Sequence, residues 1–113
     1  MLVKDLKNIN CLHLKTSNVN LESEIKDLYT CDLLSWVMGH VHEDKVVLLT
    51  VLNSMNAVAV ATLLDMSAII FTDGVIPTDD IVARANTEHI EVFYSDLNSI
   101  DTAREIMKYE NLL

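Results

Sequence analysis

The chain has 113 residues, enough for one domain that buries about two-thirds of its unfolded surface in a single core. Its 17 acidic and 8 basic residues give a net charge of -9, which disfavours binding to nucleic acid or to an anionic membrane. Half of the residues are hydrophobic, yet no apolar run approaches the roughly 20 residues of a membrane-spanning helix. We therefore predict one domain over residues 1–113 in the cytoplasm, and a homodimer that buries the surplus apolar side chains.

The first part of the chain predicts short elements that alternate between helix and strand. Apolar residues at helical spacing predict a short helix over residues 2–9, and residues 11–14 predict the first strand. A second strand is predicted over residues 24–30. Asp32 is predicted to cap the next helix, which ends near Gly39.

Three short apolar runs rich in β-branched residues follow, at residues 46–51, 68–72 and 90–94. They alternate with helical segments, and each run ends in small polar residues. This layout is typical of an open parallel sheet with helices against it. We predict an α/β fold with a layered, mainly parallel β-sheet flanked by helices.

The helices between and after these runs have recognisable starts. Asn56 is predicted to cap a helix over residues 56–63, which carries no charge and therefore packs on the sheet or on a second subunit. The next helix, over residues 79–87, has an acidic first turn that suits the helix dipole. Asn98 or Ser99 is predicted to cap the final helix.

Three segments carry a resemblance to a known family: residues 32–35 (DLLS), 50–61 (TVLNSMNAVAVA) and 68–74 (AIIFTDG). They resemble a DRTGG-domain protein, in particular the stand-alone homologues of the N-terminal domain of HPr kinase/phosphorylase. The resemblance spans nearly the whole chain and implies a fold related to the N-terminal domains of HPr kinase and MurF-type ligases. It also implies a regulatory or assembly role, as for the same module in phosphotransacetylases and CBS-containing pyrophosphatases.

The chain departs from the family at the name-giving motif. Where Asp-Arg-Thr-Gly-Gly is expected, residues 53–57 read NSMNA, so the arginine that would bind an anion is missing. The stand-alone relatives carry a histidine where this chain has Ser54. The sequence also lacks G-x-x-x-x-G-K-[ST], and Gly39 and Gly74 are its only glycines, so it is not a kinase by itself.

Polar residues follow each of the three predicted parallel strands. At the carboxyl edge of an open sheet such residues converge where ligands bind, although the same residue types also serve as caps and turns. Aspartates in this set would repel a phosphate unless a cation intervened. The candidate ligand-binding residues are Asn53, Ser54, Asn56, Thr72, Asp73, Gly74, Ser95 and Asp96.

A metal site is the other chemical pattern to weigh. His40 and His42 alternate along the chain next to Glu43 and Asp44, but the sequence fixes no third ligand, so a solvated loop is the default interpretation. We predict no cofactor. The two cysteines lack C-x-x-C spacing and are predicted to be reduced thiols.

The leading hypothesis is a non-catalytic regulatory or protein-interaction module. It would be a homodimer that binds a small polar metabolite or nucleotide and docks to a partner enzyme or signalling protein. An alternative is a small enzyme that uses Asp73 and Asp96, with or without a metal. A further alternative is a purely structural assembly subunit, whose strand-end crevice would be too shallow or closed for a ligand.

Overall fold

The computed structural model describes residues 1–111 and has the predicted α/β fold. A 3-10 helix opens the chain and is followed by five strands and four α-helices. In chain order these elements are the 3-10 helix Val3–Asn8, β1 Leu12–Leu14, β2 Asp27–Thr30, α1 Leu34–His40, β3 Val46–Thr50, α2 Met55–Leu63, β4 Ala68–Phe71, α3 Asp79–Glu88, β5 Glu91–Ser95 and α4 Ser99–Tyr109.

The five strands form one mainly parallel sheet in the order β1-β5-β4-β3-β2. Strands β2 to β5 run parallel, and β1 pairs antiparallel with β5 at one edge. All residues of β3 and β4 are buried, because helices cover both faces of these central strands. The continuous apolar runs in the sequence are therefore strands that have no solvent-facing side.

Each face of the sheet has its own hydrophobic cluster. Leu48, Ile69 and Phe71 pack with α1, α2 and α3, whereas Ile70 and Phe93 pack with the 3-10 helix and α4 on the other face. The helices that follow β3 and β4 therefore pack on one face of the sheet, and the helix that follows β5 packs on the opposite face. In open α/β sheets ligands bind at the carboxyl ends of two neighbouring strands whose following helices lie on opposite faces. In this chain those two strands are β4 and β5.

Two predicted helix caps are wrong. Ser54 caps α2, because its extended backbone lets its hydroxyl accept a hydrogen bond from the backbone N–H of Asn56 at 3.1 Å, and Asn56 lies within the helix. Leu33 precedes α1 without a side-chain cap. Asp32 instead accepts hydrogen bonds from the Thr50 hydroxyl at 2.7 Å and the Val51 N–H at 2.9 Å, so it ties the end of β2 to the end of β3.

Other element boundaries differ less. The second strand begins at Asp27 rather than at residue 24, because Glu24 forms an isolated bridge with Leu2. Asn98 caps α4 through a 2.8 Å hydrogen bond from the Asp101 N–H, which selects it over Ser99. Across residues 1–111, every helix is too short or too polar to cross a membrane.

Candidate functional site

The gap between the carboxyl ends of β4 and β5 is bridged by main chain. The Asp73 N–H donates to the Leu97 carbonyl and the Gly74 N–H donates to the Ser95 carbonyl, each at 2.8 Å. Asp73 and Gly74 reach these partners with φ angles of 61° and 70°, which glycine adopts freely and aspartate tolerates. The two loops are therefore held together and close the crevice between the two strand ends, as the alternative of a structural assembly subunit expects, so a ligand at this edge would bind on their outer surface.

Two candidate residues of this edge are buried and bonded to protein groups. The Thr72 hydroxyl donates to the Asp73 carboxylate at 2.8 Å. The Ser95 hydroxyl lies 2.7 Å from the Thr102 hydroxyl and accepts a hydrogen bond from the Leu97 N–H at 3.1 Å. These hydroxyls fix the shape of the two loops.

Four candidate residues expose their side chains: Asn53, Asn56, Asp73 and Asp96. Asn53, Asp73 and Asp96 lie in the loops after β3, β4 and β5, and Asn56 lies in the first turn of α2. The Asn53 amide donates to the Ile76 carbonyl at 3.3 Å and so links the loop after β3 to the segment before α3. The carboxyl edge thus presents amide and carboxylate groups to solvent, while Ser54 is used as a helix cap.

The two exposed aspartates have different partners. Asp96 accepts from Nε2 of His13 at 2.8 Å, and the His13 ring stacks on Tyr94 with 4.6 Å between the ring centroids. Asp73 is bonded to Thr72. His13 was not predicted to belong to this edge, since only the antiparallel pairing of β1 with β5 brings residues so far apart in sequence together.

A cavity of about 460 Å³ lies beside this edge, between the segment after the 3-10 helix and α4. Cys11, Leu97 and Tyr109 are among its lining residues. Burial raises the pKa of the Cys11 thiol, because the thiolate is solvated less well there than in water. Cys11 is a free, half-buried thiol, and its raised pKa makes it a poorer nucleophile at neutral pH.

The two histidines of the metal hypothesis lie at the opposite, amino end of the sheet. His40 ends α1, where its Nδ1 lies 2.8 Å from the Trp36 carbonyl and its ring stacks on Trp36. His42 is exposed in the following loop. Within residues 1–111, no three His, Cys, Asp or Glu side chains are grouped closely enough to hold a metal ion.

No family model matches the chain, and no curated protein sequence matches it. Among solved structures, it is similar to the CBS and DRTGG domains of the regulatory region of Clostridium perfringens pyrophosphatase, complexed with the activator diadenosine tetraphosphate. The similarity has a TM-score of 0.70 at 16% sequence identity and covers 94% of this chain. This chain is DRTGG/CBS-like in fold.

The DRTGG/CBS-like chain spans 45% of the length of that neighbour. That neighbour is the regulatory region of the pyrophosphatase. The comparison provides no link to HPr kinase/phosphorylase, so that part of the resemblance stays a prediction.

Proposed function

We propose that this chain is a non-catalytic regulatory module that binds a small polar metabolite or a nucleotide at the carboxyl ends of its strands. The observation that carries the proposal is the exposed polar surface formed there by Asn53, Asn56, Asp73 and Asp96. The likeness in fold to a regulatory region complexed with a nucleotide activator supports it. Ser54, Thr72, Gly74 and Ser95 would hold the loops that present these groups.

The charge of this surface restricts the ligand. Asp73 and Asp96 repel phosphate groups, and the chain carries a net charge of -9. A nucleotide would therefore bind together with a divalent cation such as Mg²⁺, which bridges carboxylates and phosphates. An uncharged or cationic metabolite would need no such ion.

We also propose that the module is a homodimer. Three exposed apolar side chains, Val51, Met55 and Ile76, lie at the same edge as the ligand-binding candidates, and Ile76 is 56% exposed. The hydrogen bond from the Asn53 side chain to the Ile76 carbonyl joins the segment between β3 and α2 to the segment before α3, and Met55 is the first residue of α2. Because this apolar patch adjoins the polar surface, a bound ligand would change the affinity of one copy for another and the docking of a partner enzyme or signalling protein.

Ligand binding is expected to raise the melting temperature. The panel contains diadenosine tetraphosphate and the adenine and guanine nucleotides, each with and without Mg²⁺. A ligand at 100 times its Kd stabilises the fold by about 2.7 kcal/mol, which raises the melting temperature of a domain of this size by roughly 10 °C. The shift should disappear in Asn56→Ala and in Asp73→Asn. Asparagine is chosen at residue 73 because it tolerates the left-handed backbone of that residue.

Asp65→Asn is the matched control, because Asp65 is also exposed and has a φ of 53° but lies at the other end of the sheet. It should keep the full shift. A panel without any shift would contradict nucleotide binding at this edge, and a shift that survives in both site variants would place the ligand elsewhere.

The dimer is tested by light scattering after gel filtration. The wild-type chain should elute with twice its mass of 12.7 kDa. Met55→Lys and Ile76→Lys should give monomers, since a buried lysine without a partner costs several kcal/mol at an interface. Ile100→Lys, at a 67% exposed position on α4, should remain dimeric. A monomeric wild type at about 100 μM, or variants that remain dimeric, would refute this interface.

A further inference from the structure

The amino end of the sheet carries a groove that the proposed function does not use. Cavities of about 280 Å³ and 350 Å³ lie on the two sides of the carboxyl end of α1. Both are lined by Val41, His42 and Glu43, so they adjoin each other and make up one depression that this short segment divides. Met38 of α1 and Leu63 of α2 line the second cavity. We call this depression, together with the adjoining Trp36, the amino-end groove.

Large apolar side chains stand exposed along the amino-end groove. Leu63 is 71% exposed and Trp36 is 49% exposed, and the Met38 side chain is exposed as well. Tryptophan and methionine are enriched in protein interfaces, where they bury much area and adapt to the partner. The groove therefore offers apolar anchors rather than a water-filled recess.

The rim of the amino-end groove is acidic. Four carboxylates, from Asp27, Glu43, Asp44 and Asp65, line the two cavities, and no lysine or arginine of the described chain lines either one. Lys26 neutralises one of them through a 2.7 Å ion pair with Asp44. The remaining negative charge complements a cationic partner and repels a second copy of this acidic chain.

The Trp36 ring is held in place at one end of the groove. It stacks on His40 with 3.6 Å between ring centroids and 8° between planes, and its indole N–H donates to the Tyr29 hydroxyl at 3.0 Å. Because the ring is fixed and half exposed, a lysine or arginine of a partner can bind against it without ordering it first.

We propose that the amino-end groove binds a basic amphipathic helix of a partner protein. The apolar face of such a helix would cover Met38 and Leu63 between α1 and α2, and its lysines or arginines would meet the acidic rim and Trp36. This inference does not rest on the proposed ligand site, which lies at the carboxyl end of the sheet.

The probe is a synthetic peptide of about 16 residues, with leucine at helical spacing, lysine elsewhere and no aromatic residue. Trp36 is the only tryptophan of the chain, so its fluorescence reports on this groove directly. Saturable binding with a shift of Trp36 emission to shorter wavelength is expected. Leu63→Lys and Glu43→Lys should each weaken binding at least about tenfold, because each places a cation against the peptide.

Controls separate this mode from other occupants. Ile100→Lys matches Leu63→Lys in exposure but lies on α4, and Met55→Lys lies at the carboxyl end of the sheet, so both should bind the peptide as the wild type does. A peptide of equal composition interrupted by prolines, which cannot form the helix, and a peptide with glutamate in place of lysine should both fail to bind.

Three results would overturn the proposal. Equal binding of the proline or glutamate peptide would exclude a basic helix as the occupant. Unchanged affinity in Leu63→Lys would place the peptide elsewhere. A shift of Trp36 emission with protein concentration alone, without peptide, would show that a second copy covers the groove.

Discussion

Replacing Glu91 with alanine is expected to lower the free energy of unfolding by about 3–5 kcal/mol. Glu91 begins β5 and is fully buried, with both carboxylate oxygens used. One accepts from the Thr16 hydroxyl at 2.5 Å, and the other accepts from the Asn20 N–H at 2.7 Å. Alanine would leave the buried Thr16 hydroxyl and the half-buried Asn20 N–H without this acceptor and would weaken the attachment of the loop between β1 and β2 to the sheet.

The measurement is urea unfolding, combined with hydrogen exchange at the Asn20 amide, which should lose protection first. Glu91→Gln should cost less, because its amide oxygen still accepts one of the two hydrogen bonds. Glu22→Ala, at an exposed glutamate, should change stability by less than about 0.5 kcal/mol. A loss below about 1 kcal/mol in Glu91→Ala would refute a structural role for the buried carboxylate.

Phe71→Ala is expected to cost about 3–5 kcal/mol of folding stability. Phe71 ends β4 and is fully buried in the cluster that joins the sheet to α1, α2 and α3. Alanine would leave a cavity directly beneath Thr72 and Asp73. The loop after β4 should loosen, and any ligand shift at the carboxyl edge should shrink along with stability.

Urea unfolding measures this loss, with Leu63→Ala as the control. Leu63 is also a large apolar residue but is 71% exposed, so its truncation should cost less than about 0.5 kcal/mol. If Phe71→Ala does not fold, Phe71→Leu should still fold with a loss of about 1–2 kcal/mol. A Phe71→Ala protein as stable as Leu63→Ala would contradict the packing described for β4.

The fold and part of the candidate site were predictable from local patterns. The apolar runs of β3 and β4 are too continuous for a half-exposed strand, so they predicted a sheet covered on both faces. The Asp73-Gly74 turn was predictable because these residue types suit a left-handed backbone. The carboxyl edge followed from the parallel order, although the predicted set mixed exposed groups such as Asn53 with buried ones such as Ser95.

By itself, the sequence determined the mainly parallel sheet, the order of the helices and the acidic charge, because these depend on composition and on short-range spacing. Only the tertiary structure decided that Asp32 braces two strand ends, that Glu91 reaches Thr16 and that main chain bridges the gap between β4 and β5. These contacts join residues distant along the chain, and no periodic pattern encodes which distant groups will meet when the two faces of a sheet are covered.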